Sequence, residues 1–152
     1  RLVGSEMCIR DSYTFGSRIT GINDMPINDK LFILQSDIIK SAADKGPCVI
    51  IGRCGDYILR EYDNVFRVFI HANKEARIKR ILSKGLCDEK KVSDFITKRD
   101  KQRANYYNFY SNKRWDDLSN YHLTIDSSEF DIDEVAEIII TAIGKIKPPA
   151  KK

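Results

Sequence analysis

Apolar residues recur at helical spacing soon after Asp29. Leu31, Leu34, Ile38 and Ala42, with Ile39 and Ala43 beside them, outline one face of a helix predicted to run from an Asp29 cap to about residue 45. Gly46-Pro47 ends it, and the period then changes. Cys48-Val49-Ile50-Ile51 is unbroken and rich in β-branched residues, the pattern of a strand buried on both faces in a parallel sheet. Residues 56–62 predict one or two helical turns, and residues 66–70 the next strand, ending at His71-Ala72. Asn73 is predicted to cap a helix through Ser83 that Gly85 stops. Asp88 is predicted to open a longer helix reaching Tyr106 or beyond, with Val92, Phe95 and Ile96 turned inward. Residues 123–125 form a third strand, and Asp131 and Glu134 have the spacing of a capping box for a last helix over 132–146.

Strands separated by helices of this length indicate an α/β domain with a mainly parallel sheet. Such sheets bind ligands at the carboxyl ends of their strands, where Gly52-Arg53, His71-Ala72 and Asp126-Ser127 fall. Three strands are few for this class, so an amino-terminal truncation is expected. Residues 1–12 show neither a helical nor a strand period and resemble translated sequencing adapter, so they are set apart from the fold. Residues 13–28 read as loop, 13–146 as the domain, and 147–152 as a basic tail with Pro148-Pro149.

The length of 152 residues is that of one domain able to bury a core. Hydrophobic and charged fractions of 42% and 32% exclude a disordered chain. No apolar run approaches the roughly 20 residues that span a bilayer; the longest, 138–143, is broken by Thr141 and belongs to an amphipathic helix. With no export signal visible, a cytoplasmic location is expected. Cys8, Cys48, Cys54 and Cys87 show neither C-x-x-C spacing nor a secreted disulfide framework, and His71 and His122 are far apart, so no metal site is expected.

Net charge is only +4 but unevenly placed. Residues 74–114 hold 13 Lys/Arg against 5 Asp/Glu, whereas residues 115–144 hold eight acidic residues and no Lys or Arg. A basic middle suits a polyanionic ligand, a nucleotide or a nucleic acid. Arg77 and Arg80 share one helical face, Arg99 and Arg103 another, and Arg53 follows a strand end. Guanidinium groups give bidentate, permanently charged contacts to phosphate oxygens. Each has a plainer alternative. Arg77 and Lys74 could simply solvate their helix, Asp100 and Arg103 could form only an i,i+3 ion pair, and Trp115 could be core filler. For the aromatic cluster 106–110, packing against the core is favoured over base stacking.

From Asn28 to about Ile143 the sequence resembles the cytidylate kinase-like family of P-loop nucleoside-monophosphate kinases. The resemblance rests on Asn28-Asp29-Lys30-Leu31-Phe32, on Gly46-Pro47 followed by Cys48-Val49-Ile50-Ile51-Gly52-Arg53-Cys54-Gly55-Asp56, and on Val68-Phe69-Ile70-His71-Ala72. It continues through Arg77-Ile78-Lys79-Arg80, Lys98-Arg99-Asp100-Lys101 with Arg103, the stretch from Tyr106-Tyr107 to Trp115, and Ile125-Asp126-Ser127-Ser128. It implies a three-layer P-loop-kinase-type domain with a helical lid, and phosphoryl transfer from Mg2+-ATP to a nucleoside monophosphate, CMP or dCMP. In that picture Arg53 holds the acceptor phosphate, with Asp56 near its base or sugar. Arg77 and Arg80 reach the ATP phosphates as the lid closes, and Arg99 and Arg103 come from the lid's other side. Asp100 orients an arginine or contacts the acceptor, and Ser127 belongs to the cofactor site.

Two departures qualify the resemblance. No phosphate loop G-x-x-x-x-G-K-[S/T] is present: Gly16 and Gly21 have the glycine spacing but Ile22-Asn23 follow, and Gly46 and Gly52 are one residue too far apart. The loop is expected upstream, and this segment alone is not expected to catalyse. True cytidylate kinases also carry Asp before and after the Gly-Arg, where this chain has Ile51 and Cys54. Two other readings therefore stand beside the kinase: a non-catalytic nucleotide sensor, and a basic RNA-binding module using residues 98–114, which ranks last.

Overall fold

The computed structural model describes Leu2–Val3 and residues 25–146. Most of the 1–12 segment, the Gly16 and Gly21 stretch and the 147–152 tail lie outside the described residues. The chain divides into two units, residues 1–62 and 63–152. Among the described residues each contains one parallel strand pair with helices, the α/β arrangement expected.

The first unit comprises β1 (Leu2–Val3), α1 (Ile27–Asp44), β2 (Val49–Ile50) and α2 (Gly55–Ile58). Leu2 lies opposite Val49 and Val3 opposite Ile50. Part of the segment set apart for lacking a strand period is thus a strand; two residues are too few to show one. Helix α1 begins earlier than predicted. Pro26 occupies the cap position, and its carbonyl accepts from Asp29 N (3.0 Å) and Lys30 N (3.1 Å). Asp29 sits in the first turn instead, where a carboxylate favours the helix dipole.

The inward face of α1 also differs. Ile39 is 3% exposed, whereas Leu31 and Leu34 are 49% and 50% exposed. Within its unit α1 packs on α2. Helix α2 has four residues, about 6 Å, and is too short to cover the whole of an 18-residue helix about 27 Å long. Strand β2 is shorter than predicted, and Val49 and Ile51 are exposed rather than buried on both faces; among the described residues the sheet of this unit is a pair of two-residue strands. Ile50 is the strand residue drawn inward. A Cβ added at Gly55 would sit 2.7 Å from Ile50 Cγ2, so β2 and α2 meet only because residue 55 is glycine.

The second unit comprises β3 (Val68–His71), α3 (Lys74–Ser83), α4 (Val92–Ser111), β4 (Leu123–Asp126) and α5 (Ile132–Lys145). β3 and β4 run parallel in the register Val68–Leu123 to His71–Asp126. Phe69 anchors the pair, with Trp115 edge-on at 5.5 Å and Tyr121 at 4.9 Å between ring centroids. Trp115 is therefore core filler, and its backbone N–H donates to Asn108 Oδ1 (2.9 Å). Ile125, Val135, Val92, Ile96 and Tyr107 are buried, while Phe95 is half-buried. Of the aromatic cluster, Tyr107 is buried, as packing against the core requires, whereas Tyr106 and Tyr110 lie against one another and Phe109 is exposed.

Helix ends follow the sequence in two cases and not in a third. Asn73 Oδ1 accepts from Ala76 N (2.8 Å), and Gly85 takes a left-handed φ of 62° that closes α3 through Leu86 N to Ile81 O. Asp131 and Glu134 form the reciprocal capping box of α5, each bond 2.9 Å. Asp88 is not the cap of α4. It begins a turn bonded to Lys91 N (3.0 Å), and the helix starts at Val92, which is buried.

At the start of β4, Arg67 holds His122 through its backbone N–H to Nδ1 (3.1 Å), with Nη2 2.9 Å from Nε2, while Phe66 stacks on the ring. Burial, and then the nearby Arg67 guanidinium, lower the imidazole below its usual 6.5. The unfolded chain takes up this proton more readily, so the contribution of His122 is complete above about pH 6.5 and is lost as pH falls below it. Denaturation midpoints measured from pH 7 to 5 should fall with acid, and His122→Gln should flatten that slope; an unaltered slope speaks against it. The burial pattern of α1 gives a second expectation. Ile39→Ala should cost about 2–4 kcal/mol in denaturant unfolding and Leu34→Ala less than about 1; equal costs would contradict the packing described.

Candidate functional site

Two of the residues expected to bind phosphate or acceptor, Arg53 and Asp56, lie in the first unit. After β2 the backbone turns through three consecutive left-handed residues, Gly52, Arg53 and Cys54, with φ of 67°, 58° and 55°. Left-handed geometry costs a side-chain-bearing residue roughly 1–2 kcal/mol, and such residues cluster where function constrains the chain. The turn is locked by Gly55 N to Gly52 O (3.0 Å) and Ile58 N to Cys54 O (2.8 Å). It leaves Arg53 exposed and drives Cys54 inward. Burial, and then the Asp56 carboxylate, push the Cys54 thiol up to about 12, so it is a neutral packing group rather than a nucleophile.

The remaining candidates lie in the second unit. Arg77 of α3 donates from Nη2 to Asp100 Oδ1 at 2.7 Å, and Arg103 of α4 donates from Nη1 to the same oxygen at 3.3 Å. The Arg103 contact is the i,i+3 pair anticipated. The Arg77 contact crosses between helices, so Arg77 does more than solvate its own. The Arg77 and Asp100 side chains are 31% and 29% exposed, enough shelter to order the pair and enough access for a ligand.

Arg80, one turn on from Arg77, reaches the carbonyl of Ser127 at 3.5 Å. Ser127 itself is buried, donating N–H (2.8 Å) and Oγ–H (3.0 Å) to the carbonyl of His71. Its hydroxyl thus closes the β3–β4 pair. Ser128, which the motif reading left without a role, joins strand to helix. Its Oγ accepts from Asn73 N (2.7 Å) at the start of α3 and donates to Asp126 Oδ1. The Asp126-x-Ser128 spacing signals the local turn, but nothing in the sequence signals a partner 55 residues away. The Ser128 hydroxyl and then its N–H hold the Asp126 carboxyl below the usual carboxylate range, leaving an anion at the carboxyl end of β4.

Arg99 does not join this group by any contact. It stacks over the Phe95 ring, 5.3 Å from its centroid, and with Lys98 and Gln102 lines a shallow hollow of about 190 Å³ on α4. The structure therefore brings Arg77, Asp100 and Arg103 together, sets Arg80 against the end of β4, and turns Arg99 along its own helix.

The sequence profile of the cytidylate kinase-like family matches residues 4–129. The chain belongs to the cytidylate kinase-like family. The match starts inside the 1–12 segment and spans all the candidate residues. Relatives include the cytidylate kinase of Methanosarcina barkeri, 31% identical over 106 residues, 66% of this chain and 57% of that one. The cytidylate kinase of Methanoculleus marisnigri is 26% identical over 122 residues, 80% of this chain and 65% of that one. The chain thus spans less than two thirds of either relative's length. Among solved structures, an uncharacterized protein from Eubacterium ventriosum superposes with a TM-score of 0.73 at 31% identity, covering 79% of this chain and 76% of that one.

For a cytidylate kinase-like chain, the bonds of Ser127 separate a structural from a nucleotide-contacting role. Ser127→Ala removes a buried donor and leaves the His71 carbonyl with the Ser127 N–H alone. Its unfolding free energy should fall by about 1 kcal/mol with nucleotide affinity unchanged by calorimetry. A stable variant with weakened ATP binding would return Ser127 to the cofactor site.

Proposed function

We propose that the protein is a cytoplasmic nucleoside-monophosphate kinase of the CMP or dCMP type, moving the γ-phosphoryl group of ATP to the acceptor. Membership of the family supports the reaction class. The local observation that carries the reading is the meeting of Arg77 and Arg103, from separate helices, at one carboxylate oxygen. That convergence is suited to a phosphate, which offers the same two donors more charge and more acceptor atoms.

Phosphoryl transfer asks a protein chiefly to position groups and stabilise charge spread over the equatorial oxygens. Arg77, Arg80 and Arg103 would supply that charge, with Arg99 swinging from Phe95 to join them. Arg53 would hold the acceptor phosphate on its left-handed turn, with Asp56 beside the acceptor's base or sugar. Mg2+ would arrive with ATP and neutralise phosphate oxygens. Among the described residues no group of three or more His, Cys, Asp or Glu is placed to hold a metal alone. No described helix is long and apolar enough to cross a membrane.

One observation favours a second reading. Where cytidylate kinases carry carboxylates around the Gly-Arg, this chain presents an exposed Ile51 and a buried, neutral Cys54. A protein that binds nucleotide without turnover would keep the arginines and lose such acceptor contacts. The readings part on assay. With Mg2+-ATP, the full-length protein should phosphorylate CMP or dCMP faster than UMP or AMP. Arg77→Ala and Arg103→Ala should each lower kcat by about 10³-fold. Binding of CMP and ATP by calorimetry with no turnover on any acceptor would establish the sensor instead.

A further inference from the structure

We infer that Asp100 is an internal stand-in for the phosphate ligand: it occupies the Arg77–Arg103 pair at rest and must be displaced before an anion can take both arginines. This rests on the reading of those arginines as phosphate ligands and adds what sets the threshold for binding there. Both guanidinium groups spend a donor on the same atom, Asp100 Oδ1, at 2.7 and 3.3 Å. Asp100 stands beside Arg103 on α4, whereas Arg77 approaches from α3, so one carboxylate fastens two helices while neutralising one of two positive charges.

A ligand phosphate contributes more charge than a carboxylate and more oxygens in a compact array, so it can engage the two guanidinium forks bidentately. It must nevertheless compete with a carboxylate tethered in place, and Asp100 released from the arginines lies close to the incoming anion as a like charge. Weakly bound or singly charged anions are thereby disfavoured, and polyphosphates are selected. Asp100 acts through Arg77 and Arg103 and is a positioning residue. The sign of its effect is what marks it. Loss of a merely structural ion pair would loosen α3 against α4 and weaken binding, whereas loss of a competing carboxylate must strengthen it.

The test is calorimetric titration of the chain with inorganic tripolyphosphate at low ionic strength, a probe that needs neither nucleotide nor turnover. Asp100→Asn should bind about three- to tenfold more tightly than wild type, the range expected for releasing two partly exposed ion pairs. Asp116→Asn is the charge-matched control. Its carboxylate holds only Arg114, through bonds of 3.1 and 2.9 Å, so it adds the same charge without touching the site. Tightening by Asp100→Asn beyond that of Asp116→Asn, with an unchanged circular-dichroism spectrum, supports the stand-in. Equal tightening by both variants, weaker binding by Asp100→Asn, or no binding by any of the three proteins overturns it. Absence of turnover by the full-length protein, with the tripolyphosphate pattern intact, would sink the catalytic reading and leave the anion competition standing.

Discussion

The second unit is organised by one parallel contact, that between β3 and β4. Four residue pairs set its register, and the carbonyl of His71 closes it by accepting both donors of Ser127. Two residues past that carbonyl the chain caps α3 with Asn73, whose own N–H is taken by Ser128 from the other strand. The start of α3 is therefore fixed by the end of the strand pair. Its arginines inherit that placement: Arg80 returns to the Ser127 carbonyl, and Arg77, one turn earlier, meets α4 at Asp100. A one-residue slip in the β3–β4 register would carry the cap, the helix and the arginines with it.

Elements whose signals are local were legible. Asn73, Gly85 and the Asp131–Glu134 box each act within a few residues of themselves, and each behaves as its spacing predicts. Helix beginnings without such a signature were misread. Asp29 and Asp88 have the right chemistry for a cap, but Pro26 and the buried Val92 decide where those helices start. Burial was the least legible quantity, because it depends on what lies opposite. The stripe from Leu31 to Ala42 has helical period along its whole length, yet Ile39 is buried and Leu34 is not.

The candidate site divides the same way. Residue types and helical spacing named Arg77, Asp100 and Arg103, which the structure joins at one carboxylate oxygen. They were not enough to separate Arg103 from Arg99. The two are four apart, but one finds a carboxylate at i−3 and the other an aromatic ring at i−4. Ser127 was named for the cofactor site by motif alone; its hydroxyl donates to the His71 carbonyl, on a strand 56 residues away, a partner that no local pattern encodes.

The left-handed turn that holds Arg53 outward has a chemical side effect. By rotating residue 54 into the packed interior, it leaves a sulfur that keeps its hydrogen throughout the neutral range. Electrophiles and peroxides, which attack sulfur mainly as its anion, find almost none at this position. An arginine presented on such a turn stands next to a cysteine without inheriting its vulnerability to oxidation.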